Sequence, residues 1–313
     1  MKLIDETKVK QTFQPDPFIL EADGKFYIYC TSGHGVQAYK ADSLTGEYKD
    51  IGKVFRLEGK KQFWAPSVIR THGKYYMYVS CMNEPEEDAH MQTMYVASAD
   101  SPEGPFVNAK PLIKPFSIDS HVVENESGLY IFYSTNDYEG ERIGTYICVD
   151  KMTDPEHVSG HPVPVVKPTL DEEIFMKNRF GDGKDWHTLE GAFYFKEGDY
   201  QYVIYSGNCY QSKYYYLGYA VAKTNETDLT KVKFKKYPAD NVYAPLIARN
   251  EFEEGTGHNS VIKYNGNGKY YVVYHGRDKG VTEAPGEDKR TARICKLIVD
   301  GEKLTAVRKE NSL

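Results

Sequence analysis

Three acidic residues, Asp16, Asp119 and Glu190, stand at corresponding points of a unit that recurs along the chain. Each lies in a short apolar segment that runs to a glycine and on into a Tyr-rich stretch: QPDPFILEADGKFYIYCTS, SIDSHVVENESGLYIFYST and TLEGAFYFKEGDYQYVIYSG. Asp16 to Gly24 and Glu190 to Gly198 are each eight residues apart, and Asp119 to Gly128 is nine, a difference that a turn absorbs. Taken singly, each acid has a structural use, as a turn residue before Pro17, a strand-end cap or a surface carboxylate. Brought together in a poorly solvated site, three carboxylates cannot all ionise, so one holds a proton while another stays charged. A protonated and an ionised carboxyl on opposite sides of a bond is the requirement of glycoside hydrolysis.

The elements that must bring these acids together are legible in the turns. ADGK, THGK, ESG, KEGD and NGNGK each place a glycine between two alternating apolar runs, which predicts five β-hairpins. The two remaining hairpins belong to QFWAPSVIRTHGKYYMYVS and GHNSVIKYNGNGKYYVVYHG. Further strand-like runs follow most of them, GVQAYKADSLTGEYK and TMYVASADSPEGPF among them. A hairpin plus further strands, repeated every 50 to 70 residues, predicts an all-β chain folded as a five-bladed β-propeller. Residues 1–313 then form a single domain, and the first strand of each blade lines a central channel where the acids meet at one height. Trp64 and several tyrosines offer apolar faces to a sugar ring, and His34, His121, Asn259 and Arg277 offer hydrogen bonds to its hydroxyls. Residues 154–185 are the least strand-like and read as an insertion over one end of the channel, with a short helix around DEEIFMKNRF. Trp186 and His187, directly after it, are placed to wall a pocket.

Composition narrows the partners. With 40% hydrophobic and 27% charged residues the chain is globular rather than disordered. A net charge of −6 without a Lys/Arg run argues against a nucleic-acid partner. The start, MKLIDETKVK, has no apolar core of a signal peptide, and no apolar run is long enough to span a bilayer. If complete, the chain is expected in the cytoplasm, with no membrane partner; an oligomer is left open. The five cysteines, Cys30, Cys81, Cys148, Cys209 and Cys295, lack CxxC spacing and read as reduced, buried residues.

Six segments in order, PDPF, FWAPSV, SIDSH, TLEGAF, GHNSV and YHGR, together resemble glycoside hydrolase family 43 over residues 14 to 300. The resemblance implies a five-bladed propeller that hydrolyses pentosides with inversion. It implies that Asp16 is the general base, Glu190 the general acid, and Asp119 the carboxylate that orients the acid and raises its pKa. Arg277 matches an arginine close to the sugar, and Arg293 is expected to point inward beside it. His258 matches an axial histidine next to a calcium or other ion held through water; the other reading is a neutral imidazole satisfied by backbone or water. No cofactor is required by this reading, and a structural Ca²⁺ is the one candidate. The substrate implied is a pentose-containing oligosaccharide. An exo-acting α-L-arabinofuranosidase is preferred over a β-xylosidase or an endo-1,5-α-L-arabinanase, because a chain without a secretion signal meets imported fragments and ends directly after the fifth repeat. A non-catalytic binding propeller needs no channel carboxylates and carries Trp-Asp repeats, absent here. The fructan-processing group on a related propeller requires residues other than Pro15 and Ile118 beside the first two acids.

Overall fold

A computed structural model describes residues 1–281, 283, 284 and 286–308. Among them the regular structure is strand, apart from three single-turn 3₁₀ segments. The alternating Tyr, Val and Ile runs suit a pleated surface, and the glycine turns close hairpins between them. Strands β1 (Phe18–Ala22), β2 (Lys25–Cys30), β3 (Val36–Ala41) and β4 (Lys49–Phe55) form one four-stranded sheet. A second consists of β5 (Lys60–Thr71), β6 (Lys74–Asn83), β7 (Thr93–Ala99) and β8 (Val107–Ile113).

The next strands belong to one ten-stranded sheet made of two antiparallel groups. The first holds β9 (Ile118–Asn125), β10 (Gly128–Asp137) and β11 (Gly144–Asp154), with β12 (His157–Val158) and β13 (Val163–Val166) on the edge of β11. After β14 (Ile174–Met176), the second holds β15 (Trp186–Glu197), β16 (Tyr200–Gly207), β17 (Tyr216–Lys223) and β18 (Lys235–Lys236). A short parallel pairing, Gly144 with His187 and Thr145 with Thr188, joins the two groups. The last sheet is β19 (Glu253–Tyr264), β20 (Lys269–Asp278), β21 (Thr291–Asp300) and β22 (Lys303–Val307).

The first strands of these groups pack in cyclic order: β1 on β5, β5 on β9, β9 on β15, β15 on β19 and β19 back on β1. Apolar clusters fill the seams, such as Tyr29 with Met77 and Phe106 between the first two groups, and Ile28 with Val273 and Ile294 where the last group meets the first. Tyrosines serve here because each ring fills the seam while its hydroxyl reaches a backbone acceptor across it. Tyr29 donates to Pro102 O at 2.7 Å and Tyr78 to Pro155 O at 2.8 Å.

The insertion departs from expectation. In place of a helix, DEEIFMKNRF makes one 3₁₀ turn, Asp171–Glu173, and then β14, which pairs with β15. The cause is Glu173, which turns inward, accepts the Thr169 and Leu170 N–H groups at 2.6 and 3.0 Å, and pairs with buried Lys236 at 2.5 Å. A side chain anchored that way cannot lie on the outer face of a continuing helix. HPVPVVKP supplies β13, an edge strand that tolerates Pro164 because its outer side needs no ladder donor.

At Gly144 a Cβ would lie 2.0 Å from His187 O, inside the parallel link. Gly144→Ala is therefore expected to cost about 3 kcal/mol or more and to lower the thermal midpoint clearly. Gly160→Ala, at φ +77° with open space around it, should cost only about 1 kcal/mol. Equal midpoints for the two variants would show that the link does not constrain the fold.

Candidate active site

The same local irregularity occurs in the second, third and fourth groups, and the last has a register shift of its own at His258. Two residues of the first strand stand against one of its partner between Trp64/Ser80 and Ser67/Tyr78, between Ile118/Ser134 and His121/Phe132, and between Glu190/Ser206 and Phe193/Ile204. A β-bulge of this kind re-aims a side chain. Left-handed residues stand at these points and, in the first group, just ahead of β1: Asp16, Ala65, Asp119, Gly191 and His258, with φ of 53°, 45°, 59°, 64° and 46°. Asp16 and Asp119 are thus structurally equivalent, as expected, and His258 joins them. Glu190 does not: it stands one residue earlier, where Trp64 and Ile118 stand, and the equivalent position is Gly191. The spacing to the turn glycine misled because one-residue slips are absorbed in turns, and a slip re-aims every side chain.

Around the axis, His258 Nδ1 lies 3.5 Å from Asp16 Oδ1 and 3.9 Å from Asp119 Oδ2. Gly191 leaves room for His258, since a Cβ there would meet His258 Nδ1 at 3.1 Å on top of its positive φ. Its freed N–H donates to Asp119 Oδ2 at 3.0 Å.

Asp16 is surrounded by groups that hold it ionised. Thr31 Oγ1 donates to Oδ2 at 2.6 Å, and Arg290 Nη1 donates to Oδ1 at 3.2 Å. His275 Nδ1 lies 3.1 Å from the Asp16 N–H and 3.2 Å from Asp16 Oδ1, so it faces both the backbone and the carboxylate of this residue. Burial alone would raise the Asp16 carboxyl, but Arg290, then His258 and His275, hold it well below the usual carboxylate range. Arg290 is itself fixed by Asp288, at 2.7 Å, and lies over the Tyr210 ring.

The other two acids are pushed the opposite way. Burial raises Glu190 to about 7, with the Asp16 charge adding to it and a 2.7 Å hydrogen bond from the Tyr215 hydroxyl to Oε1 opposing it. Burial, then the Glu190 and Asp16 charges, raise Asp119 well above its ordinary value. Neighbouring buried carboxyls in this state share a proton rather than both ionising. The site therefore offers a permanent carboxylate and a proton-bearing pair.

All three acids line one cavity of about 590 Å³. Its walls come from every group: Gln62 and Trp64, His90 and Phe116, Tyr210 and Gln211, Glu283 and Asp288, and the insertion through Phe175 and Arg179. Trp186 forms part of this wall, under the Arg179 guanidinium at 4.9 Å. His187 does not; it bonds Arg142 and the Ile143 carbonyl behind the wall. That size and lining suit a small sugar.

Of the residues expected to bind substrate, Trp64 lines the cavity. His34 is exposed in the turn after β2 and is not part of the cavity. His121 is a core residue: its ring packs on Phe193 at 3.8 Å, Nδ1 accepts the Tyr194 N–H, and burial lowers it to about 3. Asn259 donates to Gly191 O at 3.1 Å and so braces the Glu190 backbone from below. Arg277 holds the loop that carries Tyr210 and Gln211 through their carbonyls, and pairs with Glu283 at 3.2 Å. Arg293 lies away from the site, paired with Glu253 and Asp278. Sequence reasoning missed Arg290, Thr31, Tyr215 and His275. In the antiparallel register His275 stands opposite Ala292 and Gly276 opposite Thr291; Arg290 lies just ahead of that last pair, outside β21, and no repeat in the sequence marks it as the partner of Asp16.

A second cavity of about 10 Å³ is lined by Asp16 and Asp119 together with Phe18, Phe193, His258 and Asn259. The axial calcium expected here fits poorly. Ca²⁺ takes six to eight oxygens, whereas this space is about one water in size, and its two carboxylates are already engaged, Asp16 by Thr31 and Arg290 and Asp119 by the Gly191 N–H. Among the described residues no group of three metal-ligating side chains occurs.

A family model described as glycosyl hydrolases family 43 matches residues 7–297. A β-xylosidase of Xylanibacter ruminicola is 25% identical over 84% of this chain and 87% of its own. A xylosidase/arabinosidase of Bacteroides ovatus is 25% identical over 96% of this chain and 97% of its own. Among solved structures, a thermostable family-43 glycoside hydrolase is 29% identical with a TM-score of 0.79, covering 96% of this chain and 94% of that one.

From the axial geometry, millimolar calcium is expected to leave the thermal midpoint unchanged in a melting experiment. A calcium-dependent rise of more than about 4 °C would show ion binding that the lining does not explain.

Proposed function

The chain belongs to glycosyl hydrolases family 43, and we propose that within it this protein is an inverting, exo-acting α-L-arabinofuranosidase working on arabino-oligosaccharides from a five-bladed β-propeller. The observation that carries the chemistry is the opposite protonation bias of acids lining one cavity, Asp16 held charged by Arg290 and Glu190 held protonated by burial. In this reading Asp16 takes a proton from water as the water attacks the anomeric carbon. Glu190 gives its proton to the departing oxygen, and the pair of carboxyls leaves the charges balanced. Asp119 shares that proton with Glu190 and orients it, the Gly191 N–H opposing the rise that burial imposes on Asp119. The cyclic order of the first strands supports the propeller, and walls on every side of the cavity support action at a chain end.

The pentoside is the finer part of the proposal. The relative matched over nearly all of both chains is named for xylosidase and arabinosidase together. A second reading, β-xylosidase, is favoured by the relative named for that activity alone, matched over less of each chain. Nitrophenyl α-L-arabinofuranoside against nitrophenyl β-D-xyloside, with linear arabino-oligosaccharides as a third substrate, separates the two; faster turnover of the xyloside would reverse the order.

Asp16→Asn is expected to fold normally and lose roughly 10²–10⁴-fold in kcat. Activity within about threefold of the wild type would remove Asp16 from the base role. Because Glu190 acts protonated, activity should fall as pH rises through about 7. Asp119→Asn removes a neighbouring charge that favours the protonated acid, so the alkaline limb should move to lower pH. An unmoved limb would leave Asp119 a structural residue.

A further inference from the structure

Tyr215 stands just before β17 and its ring is buried. Gly257 leaves room for it: a Cβ there would come within 1.8 Å of the Tyr215 ring. His275 stacks on it in near-parallel planes, with 5.6 Å between centroids and 10° between planes. The outer ends of this stacked pair reach the two reacting carboxylates. The Tyr215 hydroxyl donates to Glu190 Oε1 at 2.7 Å, and His275 Nδ1 accepts the Asp16 N–H at 3.1 Å.

We propose that Tyr215 is a positioning residue for the acid: its hydroxyl pins Glu190 Oε1, leaving Oε2 to carry the proton into the cavity, while the His275 stack fixes that station relative to Asp16. The proposal rests on reading Glu190 as the acid. Once Glu190 has given its proton away, the same hydroxyl donates to a charged oxygen, and hydrogen bonds to charged acceptors are stronger than to neutral ones. The contact thus tightens as the proton leaves. A residue that only filled space would have no such dependence on the proton.

The groups that face Glu190 are Tyr215, Asp16, Arg290 and Asp119, with Cys209 nearby. Of these the Tyr215 O–H is a neutral donor, and removing it destabilises the ionised carboxylate. Tyr215→Phe should therefore raise the pKa of Glu190, the opposite sign to Asp119→Asn. The ring, its stack on His275 and its fit against Gly257 survive in phenylalanine, so the variant keeps the packing.

Two readouts test this. The Glu190 carboxyl band, isolated by infrared difference against Glu190→Gln, should titrate about one unit higher in Tyr215→Phe than in the wild type. On arabino-oligosaccharides kcat should fall about tenfold with KM little changed, whereas on a nitrophenyl glycoside, whose leaving group needs no proton, kcat should stay within about threefold. An unmoved titration, or equal losses on both substrates, would overturn the proposal and leave Tyr215 as packing. The acid assignment fails separately: if Glu190→Gln itself showed equal losses on both substrates, Glu190 would not be the acid, yet an upward titration in Tyr215→Phe would still uphold the hydroxyl's hold on its proton.

Discussion

A carboxylate at the meeting point of five strands keeps its charge only if a cation and hydrogen-bond donors reach it there, and Arg290 with Thr31 does this for Asp16. Much else at the centre follows from that pairing. With Asp16 fixed as an anion, its neighbours titrate in its field, and the buried Glu190 and Asp119 rise instead of ionising alongside it. Removing Arg290 would leave an uncompensated charge, which is the costly half of any buried ion pair. Arg290 is in turn held by Asp288 and by the Tyr210 ring, so the loop around 286–290 is part of the electrostatic frame as well as a wall of the cavity.

The backbone supplies the second requirement. A left-handed residue in or just ahead of each first strand turns one position toward the axis, and the five residues there divide the space: two acids, one imidazole, an alanine and a glycine. The small residues are as necessary as the polar ones. Gly191 gives His258 its place and donates to Asp119, and Ala65 donates its N–H to the same Thr31 hydroxyl that serves Asp16. Glu190 escapes this crowding by standing one residue earlier, which turns it to the cavity and to Tyr215.

The strands, the turns and the chemical type of the site were legible because glycine turns and aromatic alternation are local signals, and because Asp16 and Asp119 fall in repeated segments. The insertion was not, since the inward turn of Glu173 depends on Lys236, 63 residues away. Side-chain partners were the weakest part. Histidine and arginine look alike in sequence whether they face substrate or a neighbouring strand: His121 went to the core and Arg293 to Glu253, while His275 and Arg290 reached Asp16. Those fates are decided by strand pairing across the molecule rather than by the residues adjacent in sequence.

The central claim is that Asp16 works through water while Glu190 supplies the proton from the other side of the bond. Following the first turnover of an arabinofuranoside by proton NMR, before the sugar equilibrates in solution, tests it most directly. The account predicts that the first sugar released carries the inverted anomeric configuration. A retained anomer would contradict it, because Asp16 would then have to be a nucleophile that bonds the sugar rather than a base that activates water.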